Sequence, residues 1–298
     1  MSTWISLCWR FARAIAITGV TGEKMKKVLI ILSEWGYWGE ELIGPLETFD
    51  KAGYEVTFAT PKGKRPVPLP PSTDPNYIDP PLGKSVTSEE VAKKVLELDK
   101  TDRYDKPVNI SEIMPEMPYF SSSSLVRDLE AYYKALDKVR NEFLSQFDAM
   151  LIVGGSGPIV DLANNQRVHD IILSFLKMDK PIGAECYGVT CLAFARELED
   201  RKSIIWGKHV TGHCKEYDYH DGTGFMGTDF NMGPPPYPLE YILRDATGPH
   251  GRYIGNFGKE TSVIVDYPFV TGRSTPDSYL TGEKMVEVLE KGLKKFGW

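Results

Sequence analysis

Residues 181–189 read Pro181-Ile182-Gly183-Ala184-Glu185-Cys186-Tyr187-Gly188-Val189. A short apolar strand pattern, Pro181 to Ala184, runs straight into a helical pattern from Val189 to Leu198, and Cys186 stands at the junction. A sharp strand-to-helix turn flanked by small residues is the geometry that presents a nucleophile. A helix N-terminus behind such a turn favours negative charge, so a cysteine there gains thiolate character, the form that attacks electrophiles. The same stretch also fits a plain buried cysteine at a strand end, because free cysteine packs as a small hydrophobe.

The neighbouring segments extend the pattern. Ala149-Met150-Leu151-Ile152-Val153 is a continuous apolar run, as in a strand covered on both faces, and Gly154-Gly155-Ser156-Gly157-Pro158 ends it. Val160 to Asn165 reads as a turn. Gln166 to Met178 places Val168, Ile171, Ile172 and Phe175 at helical spacing. Nearer the start, Val28 to Leu32 is a strand and Glu40 to Ala52 a helix closed by Gly53, and Tyr54 to Ala59 is a second strand. Strand, helix, strand in quick succession predicts a parallel sheet. Downstream, Ile204 to Val210 reads as a strand or hairpin leading to Thr211-Gly212-His213-Cys214. Leu239 to Arg244 is a short helix. Ser262 to Val265 and Phe269 to Gly272 are late strands, and Thr281 to Phe296 is a closing amphipathic helix.

Two segments break the alternation. Residues 61 to about 143 begin with a proline-dense run, which excludes a regular helix or a central strand there. They go on to helices near Ser88–Leu98 and Ser121–Phe143, and are expected to form a cap insertion. Residues 216 to about 238 form a second excursion rich in Gly, Pro, Asp and Tyr. Residues 1–24 carry Arg10 and Arg13 with no acid before Glu23, and are expected to lie outside the core as an extension. Residues 25–298 are then a single α/β domain.

The bulk properties narrow the function classes. The chain has 298 residues, 42% of them hydrophobic and 26% charged, with a formal net charge of -6. Acids and bases are interspersed, so no nucleic-acid or anionic-membrane footprint is visible. The four cysteines, Cys8, Cys186, Cys191 and Cys214, match neither a zinc ribbon nor a disulfide framework. Reduced thiols in a cytoplasm are the simplest reading. No apolar run approaches the length of a membrane span.

Three loops follow three strand C-termini: Ser33 to Glu41, Gly154 to Pro158, and the turn at Cys186. In an open parallel sheet, ligands sit beyond the carboxyl ends of the strands, so these loops should converge. A nucleophilic cysteine needs a proton acceptor and an oxyanion site. The backbone N–H groups of Gly155 and Tyr187 are the candidates for the oxyanion site. Trp35 and Glu185 are expected at the substrate pocket, with packing beneath the turn as the other reading for Glu185. His169 is expected to be exposed, His209 to face away from the site, and Cys191 and Cys214 to be buried thiols. Asp218, His220 and Asp221 imitate a metal site without a second spaced cluster, so no metal and no cofactor are expected.

Four stretches in this order and spacing resemble the ThiJ/PfpI superfamily, whose fold is that of the class I glutamine amidotransferases. They are Lys27 to Leu32 with Glu40-Glu41-Leu42-Ile43-Gly44-Pro45, then Leu151-Ile152-Val153-Gly154-Gly155, then the Cys186 turn, and last Gly207 to His213 with Val270-Thr271-Gly272-Arg273. The resemblance covers Met25 to the C-terminus apart from the two excursions, and extends to the chaperone/glyoxalase-type and isonitrile-hydratase-type branches. It implies a flavodoxin-like, three-layer α/β/α sandwich with a mostly parallel central sheet plus the cap. It also implies Cys186 as nucleophile, Glu41 as the acid that shares a proton with the cysteine sulfur, and His213 as base or positive partner. Without the resemblance, Glu41 reads as a solvated first-turn acid and His213 as a strand-end histidine. Tyr187 departs from the pattern, since many members keep histidine directly after the nucleophile. The family's late His-x-Glu pair is not evident, which argues against a glutamine amidotransferase.

The expected function is therefore a cysteine-dependent hydrolase or lyase. It would add a thiolate to a small carbonyl, amide or nitrile-like substrate, by hydrolysis, hydration or glyoxalase-type chemistry. The alternative is a stress-response chaperone or redox sensor that uses oxidation of the same cysteine. The expected partners are a small-molecule substrate and a second copy in a homodimer.

Overall fold

The computed structural model describes residues 25–218 and 239–298. The expected N-terminal extension and the stretch holding His220, Asp221 and the aromatic run Phe225 to Tyr237 lie outside the described residues.

The first half of the chain builds β1 (Lys27–Ile31), α1 (Gly39–Lys51), β2 (Glu55–Thr60), the small hairpin β3–β4 (Ile78–Asp79, Lys84–Ser85), α2 (Glu89–Asp99), β5 (Val108–Asn109), α3 (Ile110–Ile113) and α4 (Leu125–Glu142). Then follow β6 (Ala149–Ile152), α5 (Gly157–Asp161), α6 (Gln166–Lys177), β7 (Ile182–Glu185), α7 (Val189–Phe194), β8 (His209–Val210) and α8 (Lys215–Asp218). The last part is α9 (Leu239–Ala246), β9 (Arg252–Tyr253), β10 (Val263–Asp266), β11 (Phe269–Gly272), α10 (Ser278–Lys291) and β12 (Lys295–Phe296).

Eight strands form one sheet in the order β12-β10-β11-β7-β6-β1-β2-β5. All neighbours run parallel except β10, which is antiparallel to β11 and to β12. The apolar runs of β1 and β6 are continuous because both faces are covered. Leu29, Ile31, Met150 and Ile152 pack into a core with α6 and α7 residues, while Val28, Ile30, Ala149 and Leu151 pack with Leu42, Leu46 and Phe49 of α1 and Met285 of α10. The chain is thus the expected three-layer α/β/α sandwich on a mostly parallel sheet. The strand order reverses between β1 and β6, and the crevice outside their carboxyl ends is where such sheets bind ligands.

Several local expectations are revised. Part of the segment expected as a cap joins the core, because β5 pairs in parallel with β2 and widens the sheet. Ile204 to Val210 yields only the two-residue β8, which pairs with β9 in a separate two-stranded sheet. The closing helix starts earlier, at Ser278, and stops at Lys291, because Gly292 takes a left-handed φ of 65° and turns the chain into β12. The turn expected at Val160 to Asn165 begins inside the one-turn α5, which ends at Asp161. His169, expected in solvent, is buried, with Nε2 2.7 Å from the Ala163 carbonyl. His209 does lie off the site: its Nδ1 is 3.2 Å from Asp266 Oδ2, and its ring stacks on Trp298 at 3.6 Å. No helix of the described residues is long and apolar enough to cross a membrane.

Candidate active site

The turn at Cys186 is built from its two flanking elements. β7 carries Ile182, Gly183, Ala184 and Glu185 in parallel register between β6 and β11. A short 3₁₀ turn over Cys186–Gly188 then feeds α7. Cys186 itself has φ 53°, the left-handed region, where a non-glycine residue costs on the order of 1–3 kcal/mol. The conformation turns the residue out of the strand's alternation, beside Gly154 just past the end of β6 and next to His213. Only 4% of the residue is exposed.

Gly154 and Gly155, at the end of β6, make room for this arrangement. A Cβ on Gly154 would run into Glu41 Oε2 and lie 2.6 Å from Cys186 Cβ. Gly155 has φ +87°, and a Cβ there would lie 2.6 Å from the Trp38 nitrogen. The Gly155 N–H faces both the Cys186 sulfur and the Glu41 carboxyl, and eases ionisation of each. The Gly154 carbonyl accepts the Trp38 N–H at 3.1 Å, which ties the β1–α1 loop to the β6 end.

Two different environments meet at the sulfur. On one side, Cys186 Sγ is 3.3 Å from His213 Nδ1, and His213 Nε2 is 3.1 Å from Asp218 Oδ1. The Tyr187 hydroxyl donates to the same Asp218 oxygen, and the Tyr187 ring lies 4.3 Å from the imidazole. The tautomer with Nε2–H donating to Asp218 leaves Nδ1 as a lone pair facing the thiol. Burial pushes the imidazole well below its ordinary value, with Arg273 adding to the shift, so the resting ring is neutral. Burial also raises the Asp218 carboxyl. This is a cysteine–histidine–aspartate chain with a tyrosine bracing its far end.

On the other side lies Glu41, on the first turn of α1 and 1% exposed. Burial raises its carboxyl to about 8, with Glu40 and Asp277 adding to the rise and hydrogen bonds from Cys186 and the Gly155 N–H opposing it. Burial, and after it the neighbouring Glu41 carboxyl, raise the Cys186 thiol well above its ordinary value. The resting site therefore holds a thiol, a neutral imidazole and two raised carboxyls, Glu41 and Asp218, both protonated for the most part at neutral pH. His213 Nδ1, 3.3 Å from the sulfur, is the neighbour placed to accept the thiol proton.

The structure brings together Cys186, Glu41, His213, Gly155 and Tyr187. It does not bring Trp35 and Glu185 to a pocket. Trp35 is 69% exposed. Glu185 is fully buried beneath the turn, its side chain on the α1/α10 face of β7, with Oε1 2.8 Å from Ser278 Oγ. Its pocket position is corrected for a steric reason, since strand alternation sends it to the opposite layer from Ala184. Asp218 is the site residue whose role the sequence did not reveal. It arrives on a one-turn helix five positions after His213, inside an aperiodic run, and that short separation was the one available signal. Among the described residues, no group of three His, Cys, Asp or Glu side chains is placed to hold a metal.

Comparison with known proteins agrees with this fold. Residues 32–226 match the ThiJ/PfpI family-like model, a span that includes Glu41, Gly155, Cys186, His213 and Asp218. A curated relative, Protein DJ-1 homolog D of Arabidopsis thaliana, is 37% identical over 62 residues, covering 21% of this chain and 16% of the relative's length. The solved structure of the Rapid Encystment Protein 24 KDa of Francisella tularensis superposes with a TM-score of 0.61 at 19% identity, over 89% of this chain and 99% of that one. Glyoxalase III of Candida albicans superposes with a TM-score of 0.60 at 17% identity, over 90% of this chain and 98% of that one. These two structures share the fold. With the family match running from the end of β1 past all the residues gathered at the sulfur, the chain belongs to the ThiJ/PfpI family.

Proposed function

We propose that this chain is a cysteine-dependent enzyme that adds the Cys186 sulfur to a small electrophilic carbon, that of a carbonyl, amide or nitrile. The observation that carries the reading is the aligned Cys186–His213–Asp218 chain, with contacts of 3.3 and 3.1 Å. As the sulfur bonds to the carbon, its proton passes to His213 Nδ1, and Asp218 Oδ1 accepts from Nε2–H and holds the ring in the tautomer that takes the proton. The electron pair displaced from the C=O or C≡N bond goes to the heteroatom, which the N–H groups of Gly155 and Tyr187 hold. Glu41, protonated at neutral pH, is positioned to give that atom a proton. An aldehyde gives a hemithioacetal, and an amide gives a tetrahedral adduct that then expels its amine. Hydrolysis, hydration and glyoxalase-type isomerisation share this addition step. The aldehyde version is the first to test, because a glyoxalase III is among the structural neighbours.

The experiment is a panel of aldehydes, amides and nitriles, with the covalent adduct trapped and located by mass. An adduct on Cys186, lost in Cys186→Ala together with turnover, is the expected result. Full turnover in Cys186→Ala overturns the reading.

One observation favours a second reading, oxidation sensing. A protonated Glu41 beside Sγ is placed to donate to a sulfinate oxygen. Preferential peroxide oxidation of Cys186, with no turnover of any carbonyl compound, would select it.

A further inference from the structure

Ser278 Oγ lies 2.8 Å from Glu185 Oε1 and 2.7 Å from the Thr275 carbonyl oxygen. A hydroxyl carries one hydrogen, and a carbonyl oxygen can only accept. Two short O···O contacts need two hydrogens. If the Ser278 hydrogen serves Thr275, the second must sit on Glu185. The other carboxyl oxygen, Oε2, is buried without a partner among the described residues. An anion there would have one shared hydrogen bond and no cation, an arrangement that buried carboxylates avoid.

The surrounding charges point the same way. Glu40 and Glu41 face Glu185 from α1, Asp277 from the start of α10, and Cys186 adjoins it in the chain, and burial together with these carboxyls opposes a charge on Glu185. The nearby cation, Arg273, is committed elsewhere: Nε sits 3.3 Å from Asp277 Oδ2, and its NH groups donate to the carbonyls of Asn256, Lys259 and Glu260. Asp277, at the N-terminus of α10, puts a further carboxyl there, its oxygens accepting the N–H groups of Ser262 and Ser274.

We propose that Glu185 is a positioning residue of this site: it stays a neutral carboxylic acid, donates its proton to Ser278 Oγ, and so fixes the turn beneath Cys186 without adding a charge beside the sulfur. The inference rests on the reading of Cys186 as the reactive thiol. It makes Glu185 the opposite of a catalytic acid, a group whose value to the site is that it does not ionise.

The test uses the full chain with carbon-13-labelled glutamate side chains, read by infrared spectroscopy at neutral pH. A protonated-carboxyl band that disappears in Glu185→Gln, separate from the one lost in Glu41→Gln, is expected. In Ser278→Ala the same band should move to higher frequency, as an acid does when it loses its acceptor. Absence of the Glu185 band, or its indifference to Ser278→Ala, overturns the proposal. Iodoacetamide alkylation of Cys186 gives the second readout. Glu185→Leu should slow it about tenfold, the worth of one buried hydrogen bond, and Glu185→Gln should rescue most of that loss with an unmoved pH profile. A profile displaced to lower pH by about one unit in Glu185→Gln would mean that an ionised Glu185 had opposed the thiolate, and also overturns the proposal. If wild-type Cys186 proves unreactive, the reading of the thiol fails, and the infrared band still decides the state of Glu185.

Discussion

The two sides of Cys186 differ in whether a base stands next to the sulfur. The His213 side is a connected chain, sulfur to imidazole, imidazole to Asp218 and Tyr187 to Asp218, with Asp218 Oδ2 left without a partner among the described residues. The Glu41 side is a cluster of buried acids with no base among them, Glu41 Oε2 and Glu185 Oε2 both without a partner among the described residues. The first side is arranged to accept a proton from the thiol, the second to keep protons at neutral pH. The difference teaches that the sulfur's reactivity depends on which neighbour takes its proton, since burial alone leaves it a thiol.

Breaking the comparison at its centre has the largest effect. Cys186→Ala should lower turnover on order of 10⁴-fold or more while far-UV circular dichroism stays native, because the nucleophile has no substitute. Next comes the accepting side. His213→Asn should cost roughly 10³-fold in kcat/KM and shift Cys186 alkylation to higher pH, which a rate–pH profile measures.

The acid side should respond more mildly, about 10²-fold for Glu41→Gln, because a proton donor is lost and the nucleophile is kept. That variant also carries a stability signature. Glu41 is raised from 4.5 to about 8 in the folded chain, so the fold holds a proton that the unfolded chain releases. The stability it contributes is fully present below pH 4.5 and is lost as pH rises through 8. Wild type should therefore weaken relative to Glu41→Gln over that window, by at most about 1.4 kcal/mol per pH unit in urea unfolding. The smallest effect belongs to the far end of the accepting chain. Tyr187→Phe removes one hydrogen bond to Asp218 and should cost about fivefold in kcat, with KM little changed.

Much of this architecture was legible in the residues. The runs at Val28, Ala149 and Ile182 are continuous because helices cover both faces of the sheet, and that signature survives without any partner in view. Cys186 was visible as a junction of two periodicities. Glu41 and His213 came from a resemblance; locally each fits a bland role equally well. Asp218 was not legible because its place depends on a one-turn helix that follows no period. Nor was the side of Glu185, which strand alternation decides only once the register of β7 is known. The brevity of β8 was hidden for a related reason, since Ile204 and Ile205 are apolar to fill a core rather than to line a strand.

Gly154 shows what such a site demands of residues that take no part in its chemistry. Its missing side chain is the space in which the Glu41 carboxyl and the Cys186 Cβ meet. In a scan of all single substitutions, this position should be as intolerant as the cysteine itself, though it offers no functional group at all. A map of mutational tolerance would mark it as catalytic; its actual contribution is an absence of volume, which alanine, the mildest of replacements, already fills.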